Sequence, residues 1–496
     1  MSKQTNNDPA DRADRLFDLN GFQTGLPMDK KRTLSVVLAA AVFLICSFSG
    51  PALGLDVPRA GTALGLVLAG VVLWVTNQFD LVVGSLLIGI GAIVLGLIPV
   101  SDFQTKFGTS SFLTMFGMMT VSQGATHTNI TRRLAFFFLY KFGRSPALIL
   151  LAVCIVTGIV SAFCSNLATT VVMSSICIGI LIELNEEKGK SGLGKAMMLC
   201  IPIFSMVGGM ALISGSPSMN TVGVTSLEEA TGGACTITYG QWAAVGIICA
   251  LALTIPTWFI YKTYFKVPHK SEKVIEPEYF KEKLIALGPM AGSEMRWIIT
   301  VALMVGTMVA GVLTTPVASL LFGFITICPI IGTVKCSEAM KGLPLNVLMV
   351  SGMAPIIALL FNEYGIGDWI TRDLAAHLEG MPVFVLMLVL ALFLTVVNNV
   401  FANATAGIIA VCVAAFAPMV MAMGYNPSII LLPAIFMGAC TVVLGVQINV
   451  VLTYDYGYWE MKDPVIPGCI ISVLWTVIIC IIAYFVGPLV GMSYYL

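Results

Sequence analysis

Along this chain, apolar stretches of membrane-crossing length alternate with short polar connections. Such runs lie near 33–50, 61–77, 81–99, 111–126, 196–225, 241–263, 297–313, 317–333, 343–361, 428–451 and 465–490. Each is close to the ~20 residues that an α-helix needs to cross the hydrocarbon core. About eleven membrane helices are therefore expected. Two further segments break the pattern, because Ser145 to Ile182 and Met381 to Gly424 contain no Asp, Glu, Lys or Arg. The first is about twice as long as one crossing requires and slightly short for two crossings with a turn. A re-entrant helical hairpin, entering and leaving by one face, fits that length, and the second segment reads the same way. The expected fold is an all-α polytopic membrane protein with two opposed re-entrant hairpins.

Composition agrees. The chain is 58% apolar and 10% charged, where a soluble domain carries ~25% charged residues, and the mean hydropathy is +0.94. A soluble fold cannot hide so much apolar surface behind so few charges. The 26 basic and 26 acidic residues cancel, leaving no global basic surface for nucleic acid. The 13 cysteines form no CxxC and no Cys/His cluster, so neither a disulfide framework nor a zinc site is indicated. His127, His269 and His377 read as loop or interface residues.

Charge also sets the topology. Residues 1–32 are polar and end in Lys30-Lys31-Arg32 directly before the first apolar run, as in a cytoplasmic tail leading into a first membrane helix. With both hairpins treated as re-entrant, only Arg59, Lys106 and Arg372 of the 26 Lys and Arg fall outside. That bias follows the positive-inside rule and places the chain in the cytoplasmic membrane, N-terminus inside and C-terminus outside. The first half spans 33–263, with its hairpin at 145–182 and a broken helix at 196–225. A cytoplasmic linker, 264–296, carries an amphipathic helix. The second half spans 297–496, with its hairpin at 381–424 and a broken helix at 428–451. Five crossings separate the hairpins, so they open to opposite faces, which marks an inverted repeat of the kind that builds secondary transporters.

The hairpin midpoints fall in Ser161-Ala-Phe-Cys-Ser165-Asn166-Leu167-Ala-Thr169-Thr170 and Asn398-Asn399-Val-Phe-Ala402-Asn403-Ala404-Thr405. Each tip turns on a small residue followed by Asn, at a depth where no water satisfies freed backbone groups. One such Asn is readily explained as a helix cap; two in symmetric positions favour a lined cavity. Each tip is followed by an irregular stretch, Gly215-Ser216-Pro217-Ser218-Met219-Asn220-Thr221 and Gly445-Val446-Gln447-Ile448-Asn449. Breaks of this kind free carbonyls for a cation and aim half-helix N-termini at an anion. Neither tip nor break holds Arg, Lys or His, so an anion there relies on hydroxyls, amides, helix dipoles and a co-bound cation. Each ion then neutralises the other in a low-dielectric site, which couples their binding. With no carboxylate in either central segment, a buried proton relay is disfavoured.

These tips and breaks resemble those of the divalent anion:sodium symporter family, which carries dicarboxylates, citrate and sometimes sulfate. Its members place Ser-Asn-Thr at two opposed tips and a Gly-Thr-Pro-Pro-Asn-like break in each following helix, and the Gly457-Tyr458-Trp459-Glu460-Met461-Lys462-Asp463 stretch is also similar. By that resemblance, one sodium would meet Ser161, Ser165, Asn166 and Gly215, and a second Asn398, Asn403 and Gly445. The substrate would meet Asn166, Leu167, Asn403 and Ala404 at the tips and Pro217, Asn220 and Gln447 at the breaks. Three family hydroxyls are replaced, by Leu167, Ala402 and Ala404, and Thr169 and Thr405 are placed to compensate. The resemblance further implies a homodimer with an elevator motion, no cofactor beyond coupling sodium ions, and symport or exchange of a C4-dicarboxylate. The nearest competing reading keeps the architecture but moves a sulfonate, monocarboxylate, citrate or sulfate without sodium. The rival from another class, an integral-membrane enzyme or channel, lacks support: no nucleophile–base pair or metal cluster is present, and a channel does not require paired breaks.

Overall fold

A computed structural model describes residues 30–496 except 77, 269–275, 379, 403, 439, 441 and 444–446. The tail to residue 29, His269, Asn403 and Gly445 thus lie outside the described residues, as does the side chain of His377. Secondary structure among the described residues is helical, apart from an isolated bridge between Tyr425 and Tyr495. Helix α1 (Lys30–Ser49) lies along α2 (Ala60–Thr76), followed by α3 (Leu81–Val94), α4 (Val100–Phe107), α5 (Ser110–Thr126) and α6 (Ile130–Phe142). The first hairpin is α7 (Pro146–Phe163) and α8 (Asn166–Glu183). Helices α9 (Gly192–Ala211) and α10 (Pro217–Ala230) form the first broken crossing, and α11 (Tyr239–Tyr264) closes the half.

After α12 (Pro277–Ala286) in the linker, the same order recurs. Helices α13 (Gly292–Val309), α14 (Thr315–Ile327), α15 (Cys336–Lys341), α16 (Leu345–Glu363) and α17 (Ile366–Leu378) lead to the second hairpin, α18 (Val383–Val400) and α19 (Thr405–Ala422). The second broken crossing is α20 (Pro427–Ile430), α21 (Leu432–Gly438) and α22 (Ile448–Tyr454), and α23 (Val465–Leu489) ends the series. Lengths match across the halves: all four hairpin arms have 18 residues, α6 and α17 have 13, and α11 and α23 have 26 and 25. Helix α1 stands outside this correspondence.

Local chemistry sets the boundaries. Ser145 caps α7, its hydroxyl accepting the Leu148 N–H, and Pro146 occupies a position whose N–H has no helical partner anyway. Thr238 and Gln241 form a reciprocal capping box at the start of α11. Four short helices, α4, α6, α15 and α17, form in connections that read as loops from apolar run length, because their charges interrupt the runs without disturbing the helical period. The linker is shorter than expected, as α13 starts at Gly292, where Glu294 accepts the Ala291 N–H. The first broken crossing is longer than its apolar run, reaching back to Gly192 and on to Ala230.

The core sits around α9, which is buried along nearly its whole length between α7, α8 and α11. A Cβ at Gly208 would overlap the backbone of Gly158, so the α7 and α9 backbones touch directly, a close approach that small residues permit in lipid. Each hairpin arm spans about 27 Å at 1.5 Å per residue, enough by itself to traverse the hydrocarbon layer. Contacts at the tips, not arm length, therefore fix where the hairpins turn.

Candidate functional site

Tip 1 is a tight turn through Cys164 and Ser165. Ser165 caps α8, its hydroxyl accepting the Ala168 N–H at 3.3 Å, while its own N–H donates to Ser122 Oγ of α5 at 3.0 Å. Ser161 Oγ donates to Asn166 Oδ1 at 2.8 Å, closing a ring across the turn. Thr170 Oγ1 donates back to the Asn166 carbonyl at 2.8 Å. The irregular stretch between α9 and α10 closes onto this ring. A Cβ at Gly209 would overlap Asn166 Oδ1, and one at Gly215 would lie 2.9 Å from the Ser161 carbonyl and 2.8 Å from that of Gly209. Glycine is required at both positions for this approach. Ser161, Asn166 and Gly215 thus lie together, with Ser165 one bond from Asn166.

The first break is held open by a side chain. Asn220 Nδ2 donates to the carbonyls of Gly209 and Leu212 at 2.8 and 3.0 Å, replacing helical N–H groups that the chain withdraws there. Trp242 Nε1 donates to the Met210 carbonyl at 2.9 Å, and the hydroxyls of Ser214 and Tyr239 are 2.9 Å apart. On tip 2, Asn399 plays the complementary part: its Oδ1 accepts the N–H groups of Val442 and Val443 at 3.0 and 2.9 Å, and its Nδ2 donates to the Thr395 carbonyl. Thr405 Oγ1, at the start of α19, meets Met219 Sδ of α10 at 3.6 Å. This contact brings the first turns of α19 and α10 together, and α22 packs against both α8 and α9.

Several of the buried polar atoms without a protein partner lie on the tips and breaks, and others, such as Tyr261 Oη and Ser472 Oγ, lie elsewhere. Asn398 is fully buried and neither amide atom is bonded; Thr169 Oγ1, Asn220 Oδ1, Thr221 Oγ1 and Gln447 Oε1 are likewise buried and unpartnered. A buried polar atom left without a bond costs roughly 1–3 kcal/mol, so each of these groups is free to take up a ligand. The amide oxygens suit a cation. The hydroxyls, with the positive N-terminal ends of α8, α10 and α19 beside them, suit an anion. No Lys, Arg, His, Asp or Glu stands among these residues.

Of the residues picked out from sequence, Pro217, Ala404, Thr405 and Gln447 are also buried here, whereas Leu167 is 40% exposed. Thr170 and Asn399 are engaged in holding the turns. Sequence patterning missed Ser122, Tyr239 and Trp242, whose parts depend on which helices lie beside the tip and the break and become visible only with the fold.

Two broken crossings with helical hairpins packed onto them, in an all-helical chain rich in long apolar helices, are the architecture of a polytopic membrane transporter. The chain belongs to the citrate transporter family, CitMHS, whose family model matches residues 71–432. It is 24% identical over 449 residues to the sodium-dependent dicarboxylate transporter SdcS of Staphylococcus saprophyticus, covering 85% of each chain. With SdcS of Staphylococcus aureus it shares 23% over 499 residues, 94% of this chain and 93% of that one. Both agree with the symporter resemblance of the motifs. In fold it is similar to Neisseria gonorrhoeae MtrF, described as an antimetabolite efflux pump (TM-score 0.57, 15% identity, 80% of this chain and 85% of that one). It is also similar to the YdaH transporter of Alcanivorax borkumensis (TM-score 0.53, 13% identity, 92% and 99%).

Proposed function

We propose that this transporter moves a small dicarboxylate across the cytoplasmic membrane together with sodium ions, both bound where the tips meet the breaks. One observation carries this reading: buried, unpartnered amide and hydroxyl groups lie there with no basic side chain among them. An anion in such a pocket needs a cation beside it, because the site supplies only partial positive charge. Sodium fits oxygen ligands, and Ser161, Asn166 and the free backbone near Gly215 supply them in one half, with Asn398 in the other. Asn403 and Gly445 complete the second site in this reading. The sodium dependence and dicarboxylate substrate of the SdcS relatives support it, and the family description makes citrate the competing substrate. A homodimer, an elevator motion, an inside N-terminus and an outside C-terminus belong to the same proposal.

Uptake of labelled succinate into proteoliposomes tests it, with and without an inward sodium gradient, and with internal succinate or citrate. Sodium-stimulated uptake is expected, and Asn166→Asp abolishes it in folded protein, since an added carboxylate repels the anion. Uptake indifferent to sodium, or unchanged in Asn166→Asp, overturns the assignment.

A further inference from the structure

Beside tip 1 lies a cavity of about 760 Å³ whose lining includes none of the unpartnered polar residues. Its walls come from α6, the end of α7, the last turn of α12 with the segment after it, and α13. The deep part is formed by Val160, Cys164, Trp297 and Val301, all buried, and the outer part includes Phe137, Ile159, Ile285 and Met290, all exposed. Of these, Ile159 lies on a hairpin arm, where an exposed apolar side chain of a membrane-spanning chain faces lipid, whereas Ile285 and Met290 belong to the linker and close the end of the cavity nearest the membrane surface. The cavity therefore runs from the bilayer to the back of the turn that carries Ser165 and Asn166.

Its polar groups are largely satisfied. Arg133, the charged residue in the lining among the described residues, donates through Nε to Glu294 at 2.9 Å and to the carbonyls of Gly288, Pro289 and Leu287 at 2.8, 2.8 and 3.1 Å. Trp297 Nε1 donates to the Val121 carbonyl at 2.9 Å. Four of the five N–H donors of Arg133 are taken and its charge is matched by Glu294, so the cavity offers a dicarboxylate little and holds water poorly. The volume lies in the ~300–1,000 Å³ range of pockets that hold small molecules. We infer that this cavity binds an acyl chain of a membrane phospholipid, inserted from the bilayer between hairpin 1 and α13. Seated there, the chain backs the Cys164–Ser165 turn, so its occupancy bears on the rigidity of the first cation site.

The test is photo-crosslinking in nanodiscs of the full-length protein with a phosphatidylglycerol that carries a diazirine near its acyl terminus, mapped by peptide mass spectrometry. Adducts are expected within residues 159–164 and 297–302. Filling the cavity with Ala302→Trp, or with the smaller Val301→Phe, removes those adducts and spares those on lipid-facing segments such as the one around Phe393. The absence of adducts from both segments in the unsubstituted protein, or adducts that persist in both folded variants, overturns the inference. Binding is read without transport, so a negative result leaves the transport proposal standing.

Discussion

Gly209→Ala is the sharpest probe of the tip–break contact. The added methyl group would overlap Asn166 Oδ1 and sit 3.1 Å from its Cγ and Nδ2, nearer than ordinary van der Waals contact. Helix α9 is buried on all sides and cannot retreat, so the Asn166 amide must rotate away. Rotation breaks the 2.8 Å bond from Ser161 and turns the amide oxygen from the position where the proposed function puts a sodium ion. Overpacking of this kind costs ~1–3 kcal/mol, and a lost neutral hydrogen bond adds about 1 kcal/mol. If only 1–3 kcal/mol of this falls on the cation-bound state, sodium affinity drops roughly 5- to 150-fold. The assay is sodium-dependent succinate uptake in proteoliposomes, with half-saturation by sodium as the readout. Gly179→Ala serves as control, because a Cβ at that helical glycine meets nothing within 4 Å; it should leave sodium dependence unchanged and raise stability by up to ~1 kcal/mol. A folded Gly209→Ala protein with the sodium half-saturation of the parent refutes the placement of Asn166.

Two further outcomes are expected. Asn220→Ala removes the donor that holds the Gly209 and Leu212 carbonyls, and at ~1 kcal/mol per bond should lower unfolding stability by about 2 kcal/mol, seen as an earlier thermal transition in detergent; an unchanged transition would mean that water replaces the amide. In a background lacking the exposed Cys336 and Cys469, a cysteine at Asn185 should react with impermeant maleimide only from the cytoplasm and one at Ala422 only from outside, and labelling of both from one face would remove the opposed arrangement.

The two breaks are held by different chemistry. In the first, an amide N–H group of Asn220 takes the place of the backbone donors missing at the break. In the second, the Asn399 oxygen takes the place of missing acceptors. Asn220 keeps its Oδ1 unpartnered, whereas both amide atoms of Asn399 are bonded and it is the neighbouring Asn398 whose amide is buried without a partner. A broken helix inside a membrane is stable only when such substitutes exist, because lipid offers none. Asn220 and Asn399 supply those substitutes here.

How much of this was written in the sequence depends on the range of the interaction. Hydrophobic run length and the absence of charge over 145–182 and 381–424 determine that hairpins form there, and small residues with Ser or Asn determine where they turn, because helix propagation, capping and solvation in lipid are local matters. The observed arms, Pro146–Phe163 with Asn166–Glu183 and Val383–Val400 with Thr405–Ala422, fall within a residue or two of those limits. Which polar groups remain free is decided by packing. Asn398 and Asn399 are adjacent and chemically identical, yet one is bonded to a chain segment over forty residues away and the other is not. Gly209 resembles any helical glycine until Asn166 is seen against it, and the lipid-facing cavity has walls drawn from four separate parts of the chain. Pairings at long range depend on which helix faces come to lie together, and only the folded arrangement fixes that.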